Sequence, residues 1–332
     1  MAAADGPPLA ARISVRAIAP DDLDWFGALA GDATPGLADQ VRSLWDGGTG
    51  RPDWTLVALA DDRPLGRLAM FAEPLGCGID ESECHLAGLW VNFDHHEHET
   101  VAAELFRAAA HRAAEVAPTL LERRLNSEVH TDIDRWRAIL TANGFQLFQE
   151  KEGFVWTDTG QELPASHRLR LRSMADVGRA AFAEAMGQCI AGTLDRNDLY
   201  YLERCGPSAW GRQMVEFAER DDEASWMLGF DADGTLAGYV GVVPFEPEVA
   251  TIAHIGVAPG RRGRGFVDDL LVAGTAAARA RGFTAILSDV DTFNAPMIAA
   301  MERNGHLRGI RPWHVWAYRR TIPEKGEHGS LG

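Results

Sequence analysis

The chain opens each of its two halves with a short alternation of apolar and polar residues. Val15-Arg16-Ala17-Ile18 and Leu171-Arg172-Ser173-Met174 have a period of two and are followed by acidic residues, the pattern of a strand that leads into a helix. Residues 54–69 and 226–240 each place two β-rich runs around a turn-forming stretch. That stretch is Ala60-Asp61-Asp62-Arg63-Pro64 in one copy and Asp231-Ala232-Asp233-Gly234 in the other, so both segments predict a β-hairpin. Residues 101–116 and 266–281 are alanine-rich with one apolar face and predict helices. Further on, Ser127-Glu128-Val129-His130-Thr131 through Asn143-Gly144-Phe145 matches Ser288-Asp289-Val290-Asp291-Thr292 through Asn304-Gly305-His306, with identity at the Ser, Val, Thr, Asn and Gly positions. Matches in the same order at nearly the same offset mark an internal duplication.

Between the copies, Thr157-Asp158-Thr159-Gly160-Gln161-Glu162-Leu163-Pro164 is polar, contains Gly and Pro, and lacks apolar periodicity, as a linker does. A boundary near residue 160 gives two tandem domains, 1–160 and 161–332. Each runs strand, helices, hairpin, strand, helix, strand, helix, strand. That order predicts a mixed α+β (α/β) class in which each domain is a mostly antiparallel mixed sheet with helices on both faces. A length of 332 residues suits two domains.

Composition narrows the partners. Lys plus Arg total 32 against 48 for Asp plus Glu, a net charge of −16, which argues against nucleic acid and mildly favours a cationic ligand. Cys77, Cys84, Cys189 and Cys205 show no CxxC spacing, so free thiols in a reducing compartment are expected. The first twelve residues lack the basic flank and apolar run of a signal peptide, and no apolar stretch reaches membrane-spanning length. The expectation is a cytoplasmic protein with no membrane partner and no metal. His95, His96 and His98, beside carboxylates, read as solvated surface rather than a zinc site. Nothing in the sequence sets an oligomeric state.

The most informative stretch runs from Thr251-Ile252-Ala253-His254-Ile255-Gly256-Val257 through Ala258-Pro259-Gly260-Arg261-Arg262-Gly263-Arg264-Gly265-Phe266. It reads as a strand, a loop and a helix. Pro259 stops the strand, the glycines let backbone approach a ligand, and the helix aims unpaired N–H groups at the loop. Three arginines reverse the local field of an acidic chain, so the loop suits a pyrophosphate. The corresponding loop of the first half, Asn92-Phe93-Asp94-His95-His96-Glu97-His98-Glu99, has no glycine or arginine, and its acids repel such a ligand.

The Arg262-Gly263-Arg264-Gly265-Phe266-Val267 run resembles motif A of the GNAT N-acetyltransferase superfamily, with Val267 in place of a small residue. Asn294-Ala295-Pro296-Met297 through Arg303-Asn304-Gly305-His306 is similar to its motif B. The whole arrangement resembles tandem members of that superfamily, with a degenerate first copy. The resemblance implies acetyl-CoA as co-substrate and direct acyl transfer to the primary amine of a small molecule. Backbone around Val257 would hold the pantetheine arm, the loop of Arg262, Gly263, Arg264, Gly265 and Val267 the pyrophosphate, and Asn294 would touch the co-substrate. The family's thiolate-protonating tyrosine falls at Met301, which leaves Tyr200, Tyr201 and Tyr239 by residue type, or a route through water. For the base, His254 ranks ahead of Asp289, with Asp291 beside it; the two aspartates also read as caps for the helix near Asn294. The alternatives are a non-catalytic acyl-CoA or small-molecule sensor on the same fold and, less favoured, a relative that draws its acyl group from charged tRNA.

Overall fold

The computed structural model describes residues 12–29, 36–74, 76, 82–116, 121–126, 130, 132–164, 168–218 and 222–318. Cys77, the Ser127-Glu128-Val129 and Thr131 positions of the repeat, and residues 1–11 lie outside them. The first half runs β1 (Ile13–Ala17), α1 (Leu23–Ala28), α2 (Leu37–Asp46), β2 (Gly50–Ala60), β3 (Arg63–Pro74), β4 (Ser82–Val91), α3 (His98–Ala113), β5 (Leu121–Asn126), α4 (Ile133–Ala142) and β6 (Phe145–Thr157). The second runs β7 (Arg170–Ser173), α5 (Met174–Val177), α6 (Arg179–Ile190), α7 (Arg196–Ala218), β8 (Trp226–Phe230), β9 (Leu236–Glu246), β10 (Val249–Val257), α8 (Phe266–Ala280), β11 (Ala285–Asp291), α9 (Ala295–Arg303) and β12 (Leu307–Tyr318). The mixed class and the tandem repeat expected from the sequence are both present.

Strand alternation sorts side chains between two helical layers. On β2, Leu56 and Ala58 join the core built on α3, while Val57 and Leu59 join the one built on α1 and α2. On β9, Val240 and Val242 pack with α8 and α9, whereas Tyr239 points the other way, among α6 and α7. Each fully buried large apolar side chain contributes about 1.5–3 kcal/mol. The acid after β7 acts as expected of a helix start: Asp176 and Ser173 form a capping box, with the Asp176 N–H donating to Ser173 Oγ at 3.2 Å and the Ser173 N–H to Asp176 Oδ2 at 3.0 Å. Helix α7 is broken at Gly206, whose φ of 74° and ψ of 167° are not helical, and Pro207 follows.

All twelve strands form one sheet in the order β1-β2-β3-β4-β5-β12-β6-β11-β10-β9-β8-β7. Nothing in the hydrophobic pattern signals this continuity. The last strands of the two halves are exchanged: β12 pairs with β5 of the first half, and β6 pairs with β11 of the second. The two also pair with each other along the centre of the sheet.

The expectation of four thiols fails at Cys205, which is disulfide-bonded; Cys84 and Cys189 are free and buried. No helix among the described residues is long and apolar enough to cross a membrane.

Candidate active site

The site begins where two parallel strands part. The β10–β11 ladder holds only from Val249 opposite Ala285 to Thr251 opposite Leu287. Beyond it, the β10 edge from Ile252 to Val257 has no strand partner on that side among the described residues. A bulge on the other side of β10, between Ile252 and His254, adds Ala253 as an unpaired residue and increases the local twist. A cavity of about 400 Å³ fills the opening. Its walls are the 189–194 turn, His254 to Val257, the 261–267 loop, and Asn294 with Pro296 and Met297. That volume is in the range of small-molecule sites.

The loop is fixed by conformation and by struts. Gly263 and Gly265 have φ of 75° and 77°, and Gly265 starts α8 from a left-handed conformation that a side chain would strain. The first N–H groups of α8 face the loop. Arg168 donates to the carbonyls of Arg264 at 2.8 Å and Gly265 at 2.7 Å, pairs with Asp269, and lies over the Phe266 ring. The acids in the first turn of α8 are neutralised, Asp269 by Arg168 and Asp268 by Arg303 at 3.1 Å with Asn304 at 2.8 Å. Among the loop arginines, Arg261 pairs with Asp231 at 2.9 Å. The Arg262 guanidinium donates to the carbonyls of Val257 (3.1 Å), Cys189 (3.0 Å), Ala191 (2.7 Å) and Gly192 (3.0 Å). It therefore ties the loop to the C-terminal end of α6, where carbonyls lack helical partners and a cation is favoured. The Arg264 side chain is exposed.

Of the residues singled out by sequence, Val257, Arg262, Gly263, Gly265, Val267, Asn294 and His254 line the cavity; Arg264 and Asp289 do not. Asp289 is ion-paired to Lys151 at 2.7 Å. The helix-cap expectation for Asp289 and Asp291 does not hold at α9, because Asn294 itself caps it, accepting from the Met297 N–H at 3.3 Å. Asp291 instead accepts from the Arg196 N–H at the start of α7, at 2.7 Å. Asp195 is the side chain that caps the first turn of α7, accepting from the N–H groups of Asn197 and Asp198, and it also pairs with Lys151 at 3.0 Å. Burial and the nearby charge of Asp195 push the Asp291 carboxyl up to about 7. Met301 is packed in the core of α8 and α9. Of the three tyrosines, Tyr239 alone lines the cavity.

Sequence reasoning missed the partners of His254. Its Nε2 lies 3.1 Å from Asp198 Oδ2, and its Nδ1 lies 2.7 Å from Tyr239 Oη. Burial alone would lower the imidazole pKa, but the charge and hydrogen bond of Asp198 outweigh it and raise the value. Burial holds the Tyr239 phenol well above its ordinary range. Cys189, also on the cavity wall, has its thiol pushed up to about 12 by burial, so it is no thiolate nucleophile near neutral pH.

The first half closes the equivalent opening. Its parallel β4–β5 ladder spans only Cys84 and His85 opposite Leu121 and Glu122. There Arg67, in the register position that Tyr239 holds in the second half, donates to the carbonyls of Gly88 at 3.2 Å, Gly27 at 2.9 Å and Phe26. Arg123 donates to Leu86 O at 2.9 Å. Both arginines are buried, and burial lowers each to about 10. His95 and His98 serve local turns, with the Glu97 N–H donating to His95 Nδ1 at 3.2 Å and His98 Nδ1 lying 2.9 Å from His95 O. Among the described residues no group of three His, Cys, Asp or Glu side chains is set to hold a metal.

Residues 195–306 match the model of the acetyltransferase (GNAT) family. Three solved structures share the architecture over nearly the whole chain. One is a GCN5-related N-acetyltransferase from Sphaerobacter thermophilus, 16% identical, covering 93% of this chain and 97% of that one with a TM-score of 0.61. Another is a tandem GNAT protein from the clavulanic acid biosynthesis pathway, 17% identical over 92% and 98% with a TM-score of 0.54. The third is a GCN5-related glucosamine N-acetyltransferase region of a fungal multi-domain GH3 β-N-acetylglucosaminidase, 14% identical, covering 95% of this chain and 39% of that one with a TM-score of 0.61. At these identities the likeness is one of fold. No curated protein matches the sequence.

Proposed function

We propose that the chain is a tandem-domain member of the GNAT superfamily, as the family match over residues 195–306 and the fold shared with a tandem GNAT protein suggest, and that its second half transfers the acetyl group of acetyl-CoA to the primary amine of a small molecule. The observation that carries the reading is the cavity between β10 and β11, because it joins an unpaired strand edge to a loop built for an anion. The edge from Ile252 to Val257, apart from the Val257 carbonyl that Arg262 already occupies, offers backbone groups for the amides of a pantetheine arm. Gly263, Gly265 and Val267, at the start of α8, present backbone N–H groups to a pyrophosphate, with Arg264 free to approach it from the rim. Asn294 stands on the opposite wall.

The acyl-CoA co-substrate brings the activated thioester. The protein's part is to align it, to stabilise the carbonyl oxygen as it gains charge, and to manage protons at the amine. His254 is the imidazole that lines the cavity. The net acidity of the chain, with Asp198 beside His254, favours a cationic acceptor such as an aminosugar or polyamine. The partner is thus a small molecule rather than nucleic acid, and the reaction suits the cytoplasm, where acyl-CoA is made and used.

Calorimetry with acetyl-CoA tests the binding, and thiol release across an amine panel tests the transfer. Gly265→Glu places a side chain and a negative charge at a left-handed position of the loop and is expected to abolish binding, whereas Glu97→Ala in the first half leaves it unchanged. Equal loss from both substitutions would contradict one working half. Binding without any acceptor-dependent thiol release would favour the sensor reading.

A further inference from the structure

The acyl transfer just proposed leaves one proton to be carried from the attacking nitrogen to the departing sulfur, and Met301 cannot carry it. Resting on that reading, we propose that Tyr239 carries this proton, exchanging it with His254, while Asp198 acts as a positioning residue for the imidazole.

Three elements bring the groups together. Asp198 is in the first turn of α7, His254 is on β10 just past the bulge, and Tyr239 is on β9. Asp198, itself buried, lies 3.1 Å from His254 Nε2 and so holds the N–H on that nitrogen. The Nδ1 lone pair is then left facing the Tyr239 hydroxyl at 2.7 Å. The phenol reaches the cavity because its register partner is Gly256, where a Cβ would lie 2.8 to 3.1 Å from the Tyr239 ring and hydroxyl. The other groups facing the imidazole are Asp195, which favours its charged form, Lys151, which opposes it, and the edge of Trp210, 5.3 Å away between ring centroids. Burial keeps Tyr239 a neutral hydroxyl, able to accept one proton while giving up another. The array is peculiar to the second half, since in the first Arg67 and Trp90 stand in the register positions of Tyr239 and Gly256.

The amine nitrogen forms a bond to the acyl carbon, and its proton passes to Tyr239 Oη as the tyrosine's own proton moves to His254 Nδ1. The resulting imidazolium faces Asp198. When the carbon–sulfur bond breaks, the thiolate takes a proton from Tyr239 Oη, which is refilled from His254 Nδ1. One proton has moved from nitrogen to sulfur and the relay is back at its start, so a single array serves as both base and acid.

The test uses the full chain, with acetyl-CoA and the best acceptor from the amine panel. Tyr239→Phe, which keeps the ring, is expected to lower kcat by about 100-fold or more, with the Kd for acetyl-CoA within about twofold of the parent. Asp198→Asn removes the charge that raises His254, so the acid limb of the kcat profile is expected to move to lower pH. A proton inventory on the unsubstituted enzyme needs no variant to fold, and it is expected to curve as two protons move together. A kcat within about twofold of the parent for Tyr239→Phe, an unmoved limb for Asp198→Asn, or a linear inventory would each overturn the relay while leaving acyl transfer standing. Failure of the unsubstituted chain to bind acetyl-CoA would remove the reading beneath it.

Discussion

Single arginines in the 261–264 loop have different duties although the sequence presents them as one basic cluster. Arg262 spans four carbonyls from two segments, a geometry that needs the planar fork of a guanidinium. Arg262→Lys keeps the charge but cannot reach all four, so a lower melting temperature and a weaker acetyl-CoA complex are expected together. Arg264, exposed at the rim, is the one expected to meet phosphate directly. Arg264→Ala should cost about tenfold in affinity, roughly 1.4 kcal/mol, at unchanged melting temperature, with the difference shrinking at high salt. Calorimetry at two ionic strengths beside a thermal melt separates the two roles. His306 gives a stability prediction: burial lowers its pKa to about 4, so between the unfolded value near 6.5 and that point the folded state binds fewer protons than the unfolded one. Stability is then full above about pH 6.5 and falls as pH drops through the window, by up to about 3 kcal/mol. His306→Phe is expected to flatten that part of a pH series of urea midpoints; an unchanged slope would assign the acid sensitivity elsewhere. The loop was legible in the sequence because its chemistry is local, with glycines, arginines and a helix start within a few residues. Asp198 was not, since it stands 56 residues before His254 and only the fold joins them.

Elements repeat between the halves, yet the same pair of strands is left open in one and sealed in the other. In the second half the β10 edge stays free for a ligand. In the first, Arg67 and Arg123 supply donors to the carbonyls of β4 and of the α1 turn. Arg67→Met keeps most of the bulk but leaves those carbonyls without their donor. A destabilisation of about 2–3 kcal/mol is expected in chemical denaturation, with acetyl-CoA affinity unaltered. Loss of affinity in this variant would show that the first half takes part in the site. Helix and hairpin positions were readable from periodicity: α8 was expected over 266–281 and spans Phe266–Ala280. Helix α3 was expected over 101–116 but spans His98–Ala113, because the Val101 N–H already bonds Glu97 O at 3.0 Å, a turn before the alanine-rich stretch begins. The bulge at Ala253 and the parting of β10 from β11 have no local signature. They arise from how far two strands can run together before their twist separates them.

At the scale of the whole molecule, duplication was visible in the sequence while the exchange of final strands was not. Because β6 and β12 occupy equivalent places in the two copies, either can fill either slot, and hydrophobic alternation does not distinguish them. The exchange makes the halves interdependent. Without residues 161–332, β5 loses its partner along Leu121–Asn126 and β6 loses both neighbours. Without residues 1–160, β11 loses the strand that pairs from Ala285 to Asp291, and Asp195 and Asp289 lose Lys151. Each cut thus bares central strands whose faces are apolar, edges prone to pair with other chains, and the second cut also removes the cation among the acids beside the cavity. Expressed alone, either half is expected to aggregate, whereas the two expressed together from separate messages should associate and regain acetyl-CoA binding. Size-exclusion chromatography and calorimetry read the outcome. A monomeric 161–332 that binds acetyl-CoA as tightly as the full chain would mean that β6 is dispensable to the site, and that the exchange is an accident of joining two domains rather than the reason they remain joined.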